Sequence, residues 1–525
     1  MSSRSVDKNQ VEKRRSFAII AHPDAGKTTL TEKLLLYGGA IQLAGHVRAK
    51  KDRKSTRSDY MKLEQERGIS INTSAMQFAY KNYILNLLDT PGHEDFSEDT
   101  YRTLMAVDSA IMLLDAAKGV EPQTVKLFQI CRERRIPIVT FVNKMDLAAK
   151  ETFELIDNID EHLGITSVPM LWPLGSGREF KGVYDLKSHQ VHQFEKTTGG
   201  AFKAPEKITG IEDESLKSLV GDQQYDKLVE DIALAREMLP EFDNELFLNT
   251  EISPLFFGSA ITNFGIELLL DRFIELAPSP GEIRLQDGKV IDPLDSKFTA
   301  FIFKLQANMN KAHRDRVAFA RITSGVFERG MQVNLPRLEK SVKLSSPVSF
   351  FGQERNTIDE AFPGDIIGLI NPRLYQIGDI LCTAEAPDYH PLPRFAPEAF
   401  ARLVPLDTMK LKAFKKGVDE LSEEGVVQVF TSDDQTLFIG GVGQLQFEVF
   451  KFRLEDEYNT RVRLEPLSYE CSRWVHKDQL DSVPSTAKIV YDSAKNPVLM
   501  FDSDFMLQYF IRDNPSIELL LHPPQ

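Results

Sequence analysis

The first 145 residues alternate short, almost unbroken apolar runs with segments of helical spacing. The runs are "SFAIIA" (16–21), "YILNLLD" (83–89), "AIMLLD" (110–115) and "IPIVTFV" (136–142), and Leu30, Leu34 and Tyr37 mark one face of a helix that starts at Lys27. Apolar runs of this length suit strands covered on both faces, so the pattern predicts a mostly parallel sheet between helices. From Leu147 to about Thr250 the pattern loosens into strands, turns and an acidic helical stretch, then returns with "PLFFGSA" (254–260) and the helix "IELLLDRFIEL". A Pro-, Gly- and Asp-rich stretch follows and reads as a linker. Between 297 and 388, short strands broken by Gly and Pro predict a small antiparallel β-barrel. Beyond the Pro-rich 386–398, the order strand, helix, strand, strand, helix, strand predicts an α+β domain of ferredoxin-like βαββαβ type. The tail after Pro466 fits no element with clarity, and no internal repeat stands out. The domain boundaries expected are therefore 1–280, a linker at 281–296, a barrel at 297–388 and a third domain at 395–525.

Composition narrows the class. A chain of 525 residues with 42% hydrophobic and 27% charged positions is that of an ordinary folded multidomain protein. Cys131, Cys382 and Cys471 are scattered and lack CxxC spacing, which argues against disulfides or zinc and for a reducing compartment. No apolar run approaches the ~20 residues that span a bilayer, and Met1 to Arg15 lack a signal-peptide apolar core. A cytoplasmic location with no membrane partner is expected. With 63 Lys and Arg against 77 Asp and Glu the net charge is −14, which speaks against wrapping DNA. Local basic patches remain at 48–57, at Arg132, Arg134 and Arg135, and at 410–416, each first of all a solvated surface.

The chemistry lies in a series of short motifs. "AHPDAGKTT" (Ala21, His22, Pro23, Asp24, Ala25, Gly26, Lys27, Thr28, Thr29) follows a strand, opens a helix and has P-loop spacing, with Ala21 where the first glycine usually stands. Gly26 lets the backbone approach a phosphate, Lys27 can reach the β- and γ-phosphates, and Thr28 can ligate Mg²⁺. "DTPGHE" begins at the end of the next buried strand, so Asp89 is expected to hold Mg²⁺, and the Gly92 N–H to meet the γ-phosphate beside Thr90 and Pro91. "NKMD" supplies Asp146 to pair with the N1–H and exocyclic amine of guanine, with Asn143 and Lys144 bracing the loop. Ser259 and Ala260 of "GSA" are expected to complete the base pocket through backbone N–H groups. "RGISI" (67–71) lies where a nucleotide-sensing loop belongs, with Ser70 as a further Mg²⁺ ligand, and His93 is the candidate for orienting the attacking water.

In this order the motifs mark a GTP-binding domain and resemble the translational GTPases, the family of elongation factors Tu and G. The longer blocks "RGISIN", "DTPGHEDFSEDTYRTL", "FKGVYDL", "FKLQANMNKAHRDRVAF" and "LSEEGVVQVF" are similar to the bacterial release-factor-3 branch of that family, from about Phe17 to Trp474. The resemblance implies an α/β P-loop GTPase domain, a β-barrel and a third α+β domain. It implies GTP/GDP and Mg²⁺ as ligands, the ribosome as partner, class I peptide release factors as functional partners, and a monomer. It places phosphate and Mg²⁺ binding on Lys27 and Thr28, Walker B on Asp89, guanine on Asn143, Lys144 and Asp146, and catalysis on His93. "NKMDLAAK" departs slightly from the branch's "NKLDR", which leaves guanine recognition intact. Two rivals remain at this stage. A tRNA carrier like elongation factor Tu would protect tRNA in a GTP-dependent way, and a small-molecule phosphotransferase would turn over without ribosomes.

Overall fold

The computed structural model describes residues 4–41, 64, 70–195, 206–307, 316–345, 347–351, 354–370, 374–392 and 395–524. The basic stretch 48–57 and Arg67, Gly68 and Ile69 of "RGISI" lie outside the described residues.

The first domain is built on the apolar runs. Strands β1 (Arg14–Ala21), β2 (Ser74–Tyr80), β3 (Tyr83–Asp89), β4 (Ser109–Asp115), β5 (Ile138–Asn143), β6 (Thr166–Pro169) and β11 (Ile252–Phe257) form a sheet in the order β2-β3-β1-β4-β5-β11-β6. All neighbours are parallel except β2 with β3. Helices α1 (Lys27–Tyr37), α2 (Ser97–Leu104), α3 (Pro122–Glu133), α4 (Thr152–Leu163) and α6 (Ile266–Leu276) connect them. Phe17, Ile19, Leu113, Val139 and Phe256 are fully buried, because both sheet faces are covered. The burial of each such side chain contributes about 1.5–3 kcal/mol before chain entropy is set against it. The looser stretch after Leu147 adds α4 and β6 to this sheet. It then forms an antiparallel sheet of β7 (Leu171–Leu174), β8 (Gly182–Asp185), β9 (Gln190–Phe194) and β10 (Glu206–Gly210), and the helix α5 (Asp222–Met238). The Pro- and Gly-rich linker holds a small hairpin, Ile283–Arg284 with Val290–Ile291.

The second domain is a curled antiparallel sheet around its own core of Ala300, Ile302, Ala320, Ile322 and Leu381. Its long strands Thr299–Ala307 and Arg316–Ser324 pair with each other, and Pro347–Phe351 meets β2 at the Phe351–Met76 bridge. Buried polar groups fasten it to the first domain. Arg14 pairs with Asp365 at 2.8 Å, Arg321 forks onto Asp108 at 2.8 and 2.7 Å, and the Ser16 hydroxyl donates to the Gly364 carbonyl at 2.6 Å.

The third region begins as expected and continues beyond it. Strands β12 (Ala399–Pro405), β13 (Gln428–Thr431), β14 (Leu437–Gly441) and β15 (Val462–Pro466), with helices α7 (Leu411–Glu423) and α8 (Gln444–Tyr458), make the expected βαββαβ unit in the order β15-β12-β14-β13. The tail then repeats the plan. Strands β16 (Cys471–Val475), β17 (Lys488–Tyr491), β18 (Pro497–Phe501) and β19 (Leu519–Leu520) follow in the order β17-β18-β16-β19, joined edge to edge through Thr431 and Tyr491. Its first crossover is only the 3₁₀ turn Lys477–Ser482 and its second is α9 (Asp504–Asp513). A repeat is therefore present, with its helical rhythm erased in the second copy.

Candidate functional site

The phosphate loop forms because β1 ends at Ala21 and α1 starts at Lys27, leaving a short turn between a buried strand and a helix N-terminus. Asp24 and Gly26 take left-handed backbone angles, φ 67° and 98°. Gly26 is required: a Cβ there would lie 2.5 Å from Asn143 Nδ2. Gly26 is the N-cap of α1, and no side chain caps the helix, so its first turn faces the loop as an anion-binding end. His22 is buried and its Nδ1 contacts the Glu121 carboxylate at the start of α3. Burial holds the His22 pKa below the usual imidazole value, although Glu121 pulls the other way.

Four predicted groups converge inside the loop. Lys27 Nζ lies 2.6 Å from Asp89 Oδ1 and 3.2 Å from Ser70 Oγ, and Ser70 Oγ lies 3.2 Å from Thr28 Oγ1. The Lys27 and Asp89 side chains are 7% and 2% exposed. Thr28, Ser70 and Asp89 thus offer hard oxygen donors of the kind Mg²⁺ prefers, few enough to leave positions for phosphate and water. Among the described residues no group of three His, Cys, Asp or Glu side chains forms another kind of metal centre. Thr90 is tied down by its hydroxyl, which donates to the Ile19 carbonyl at 2.7 Å. Pro91 accepts from Thr100, and Gly92 lies over the loop, where a Cβ would touch Ala21 and Pro23. Thr29 is half-buried on α1.

The guanine side is braced by Asn143. Its Nδ2 donates to the Ala25 carbonyl and its Oδ1 accepts from the Ala260 N–H, both at 2.8 Å. Lys144, at φ 68°, reaches Asp115 Oδ2 at 2.7 Å. Burial pushes Asp115 up, but the hydrogen bonds from Lys144 and the Ala117 N–H hold its pKa below the usual carboxylate range. Ser259 Oγ donates to Asp146 Oδ1 at 2.6 Å. The N–H groups of Ser259 and Ala260 are already bonded, to the Phe264 carbonyl and to Asn143, and the loop contributes a hydroxyl that aims Asp146.

His93 is 38% exposed and caps the 3₁₀ turn Glu94–Phe96, with Nδ1 3.1 Å from Asp95 Oδ1. Sequence reasoning missed Glu121, Asp115 and Asp95. Asp115 carries a readable signal, since it ends a parallel strand at the sheet edge where such folds bind ligands. Of the basic patches, Arg134 donates to the Tyr101 hydroxyl and Lys410 to the Asn459 carbonyl, which are structural uses. A cavity of about 1680 Å³ lies between the three domains, lined in part by Arg102, Arg135, Tyr389, Lys415 and Trp474. None of the predicted nucleotide-site residues lines it.

Comparison with known proteins agrees with this fold. Residues 12–279 match the elongation factor Tu GTP binding domain, 297–384 elongation factor G domain 2, and 389–511 the class II release factor RF3 C-terminal domain. The fold and these matches define a translational GTPase. The chain is 49% identical over 515 residues to the peptide chain release factor 3 of Symbiobacterium thermophilum, covering 97% of each chain. It is 47% identical over 514 residues to that of Streptococcus mutans, covering 97% of this chain and 98% of the relative. The chain belongs to the peptide chain release factor 3 family. A crystal structure of a protein from Thermus thermophilus shares the fold, with TM-score 0.71 and 20% identity over 92% of this chain and 72% of that one.

Proposed function

We propose that this chain hydrolyses GTP on the ribosome during translation termination and thereby promotes the departure of class I release factors after peptide release. The reaction is GTP plus water to GDP plus phosphate. Lys27 and the first turn of α1 bind the phosphates, Asp146 selects guanine, and Asn143 and Lys144 hold the base loop. Thr28, Ser70 and Asp89 would hold Mg²⁺, which neutralises phosphate charge when bound. His93 orients the attacking water once the ribosome positions it, so hydrolysis by the chain alone is slow. The protein acts as a monomer in the cytoplasm, touching neither DNA nor membrane; among the described residues no helix is long and apolar enough to cross one.

One observation supports the reading above others. Ser70 touches Lys27 and Thr28, while the next residue, Ile71, is buried with Phe96 and with Val449 of α8. A change at the γ-phosphate is therefore felt two side chains later at the third domain.

The test is peptide release from stalled termination complexes with a class I release factor far below ribosome concentration. Faster multiple turnover that depends on GTP is expected. Ribosome-stimulated hydrolysis without that acceleration would discard the termination role and keep the GTPase.

A further inference from the structure

We propose that Asp95 is a positioning residue, a latch by which the docked third domain holds His93 in its present orientation. The inference rests on the reading of His93 as the water-orienting group.

Asp95 is nearly buried and is bonded to both domains, through its backbone to His93 and through its carboxylate to Leu445. His93 Nδ1 accepts the Asp95 N–H at 3.3 Å with Oδ1 3.1 Å away, and Oδ2 accepts the Leu445 N–H at 2.8 Å from a residue 350 positions away in sequence. Leu445 is in the first turn of α8, whose preceding residues are themselves pinned: the Val442 N–H donates to Gln446 Oε1 at 2.6 Å. Apolar contact closes around the bond, with Phe96, Ile71 and Val449 buried together and Leu445 and Phe452 packed against them. The carboxylate can keep this geometry only while α8 stays in place. The His93 ring meanwhile stands edge-on to Phe96, with centroids 6.5 Å apart, and is more exposed than any of Lys27, Ser70 and Asp89. Its neighbour Phe96 is buried against Val449 of α8, while Lys27, Ser70 and Asp89 are buried. Moving α8 removes the carboxylate's anchor and loosens the turn whose Asp95 N–H holds the imidazole.

Gly443 gives an independent handle. Its backbone is extended, φ −154°, so any residue is tolerated conformationally, but a Cβ there would lie 2.3 Å from the Asp95 carboxylate. Gly443→Ala therefore strains the latch from the other side without altering its chemistry. Asp95→Ala removes it. Asp95→Asn keeps an oxygen for the Leu445 N–H and the backbone N–H for His93 Nδ1, and removes only the charge.

The experiment measures GTP hydrolysis by the full chain without ribosomes, with nucleotide binding read in parallel by a fluorescent GDP analogue. Asp95→Ala and Gly443→Ala are expected to raise the rate about tenfold, the change that loss of one ordinary hydrogen bond corresponds to. Nucleotide affinity should not move, Asp95→Asn should stay near the unmodified chain, and adding His93→Ala should abolish the gain. Unchanged rates in both variants, with nucleotide binding intact, would overturn the latch, as would a gain that survives without His93. If His93→Ala alone leaves ribosome-stimulated hydrolysis intact, the role of His93 itself is what has failed.

Discussion

The Asn143 side chain donates to the Ala25 carbonyl over 2.8 Å, so the guanine loop and the phosphate loop are held by one amide. The same amide accepts from Ala260, which brings in the third loop of the pocket. Asn143→Ala leaves a buried carbonyl and a buried N–H without these partners, each costing about 1–3 kcal/mol. Nucleotide affinity should fall by roughly ten- to a hundredfold, and the melting temperature should drop even without nucleotide. Equilibrium binding of a fluorescent GDP analogue and thermal unfolding check both, and a variant that binds as tightly as before would remove Asn143 from this role.

Asp146 is aimed by Ser259, whose hydroxyl donates to Oδ1 at 2.6 Å. Asp146→Asn exchanges an acceptor for a donor opposite the guanine N1–H, so GTP should bind about tenfold or more weakly while xanthosine triphosphate gains. Ser259→Ala should weaken GTP less, because it loosens the carboxylate without changing what it offers. Competition between the two nucleotides decides the matter, and an unchanged preference for GTP in Asp146→Asn contradicts the assignment.

The first-domain sheet was legible because its strands are largely buried, and nearly unbroken apolar runs such as "YILNLLD" and "AIMLLD" are hard to mistake. The first βαββαβ unit was legible for the same reason: α7 and α8 carry long helical spacing. The second unit was not, since its first helix has shrunk to Lys477–Ser482 and its last strand to Leu519–Leu520, leaving α9 as its one helix. The site's supporting contacts were hidden differently. Asp95 with Leu445, and His22 with Glu121, are pairs that only the folded chain brings together. Asp95 looks like any acidic residue at the start of a short helical turn.

The seam between the first two domains is set by a carboxylate that titrates. Asp99 accepts from the Thr73 N–H and hydroxyl at 3.1 and 2.8 Å and from Lys304 at 2.8 Å. Burial raises its pKa, but Lys304 and Arg102 outweigh that and leave it below the ordinary value. A depressed carboxylate contributes stability that is present above its unfolded pKa, near 4, and is lost as pH falls through the folded value. Lys304→Met lets the Asp99 pKa rise, so the gain in stability between about pH 3 and pH 5 should flatten relative to the unmodified chain. Denaturant midpoints across that range test it, and parallel curves for the two proteins would show that Lys304 does not set the titration.

Arg453 joins the second and third domains from a fully buried position. Its guanidinium holds Glu424 at 2.5 and 3.2 Å and Glu457 at 2.6 and 3.1 Å, and Glu424 also accepts the Ala307 N–H at 2.6 Å from the second domain. Burial alone would push the guanidinium toward neutrality, but the two carboxylates raise its pKa well above the usual value. Arg453→Met keeps the stem and deletes the charge, leaving two carboxylates facing each other in a buried seam. Breaking one side of such a network costs about 3–5 kcal/mol. The loss should appear as earlier unfolding of the third domain, read by the near-ultraviolet signal of Trp474, which is buried there. Adding Glu424→Gln and Glu457→Gln to Arg453→Met removes the uncompensated charges and should recover part of the loss. If the triple variant is no more stable than Arg453→Met, packing of the arginine stem, and not its charge, is what binds the seam.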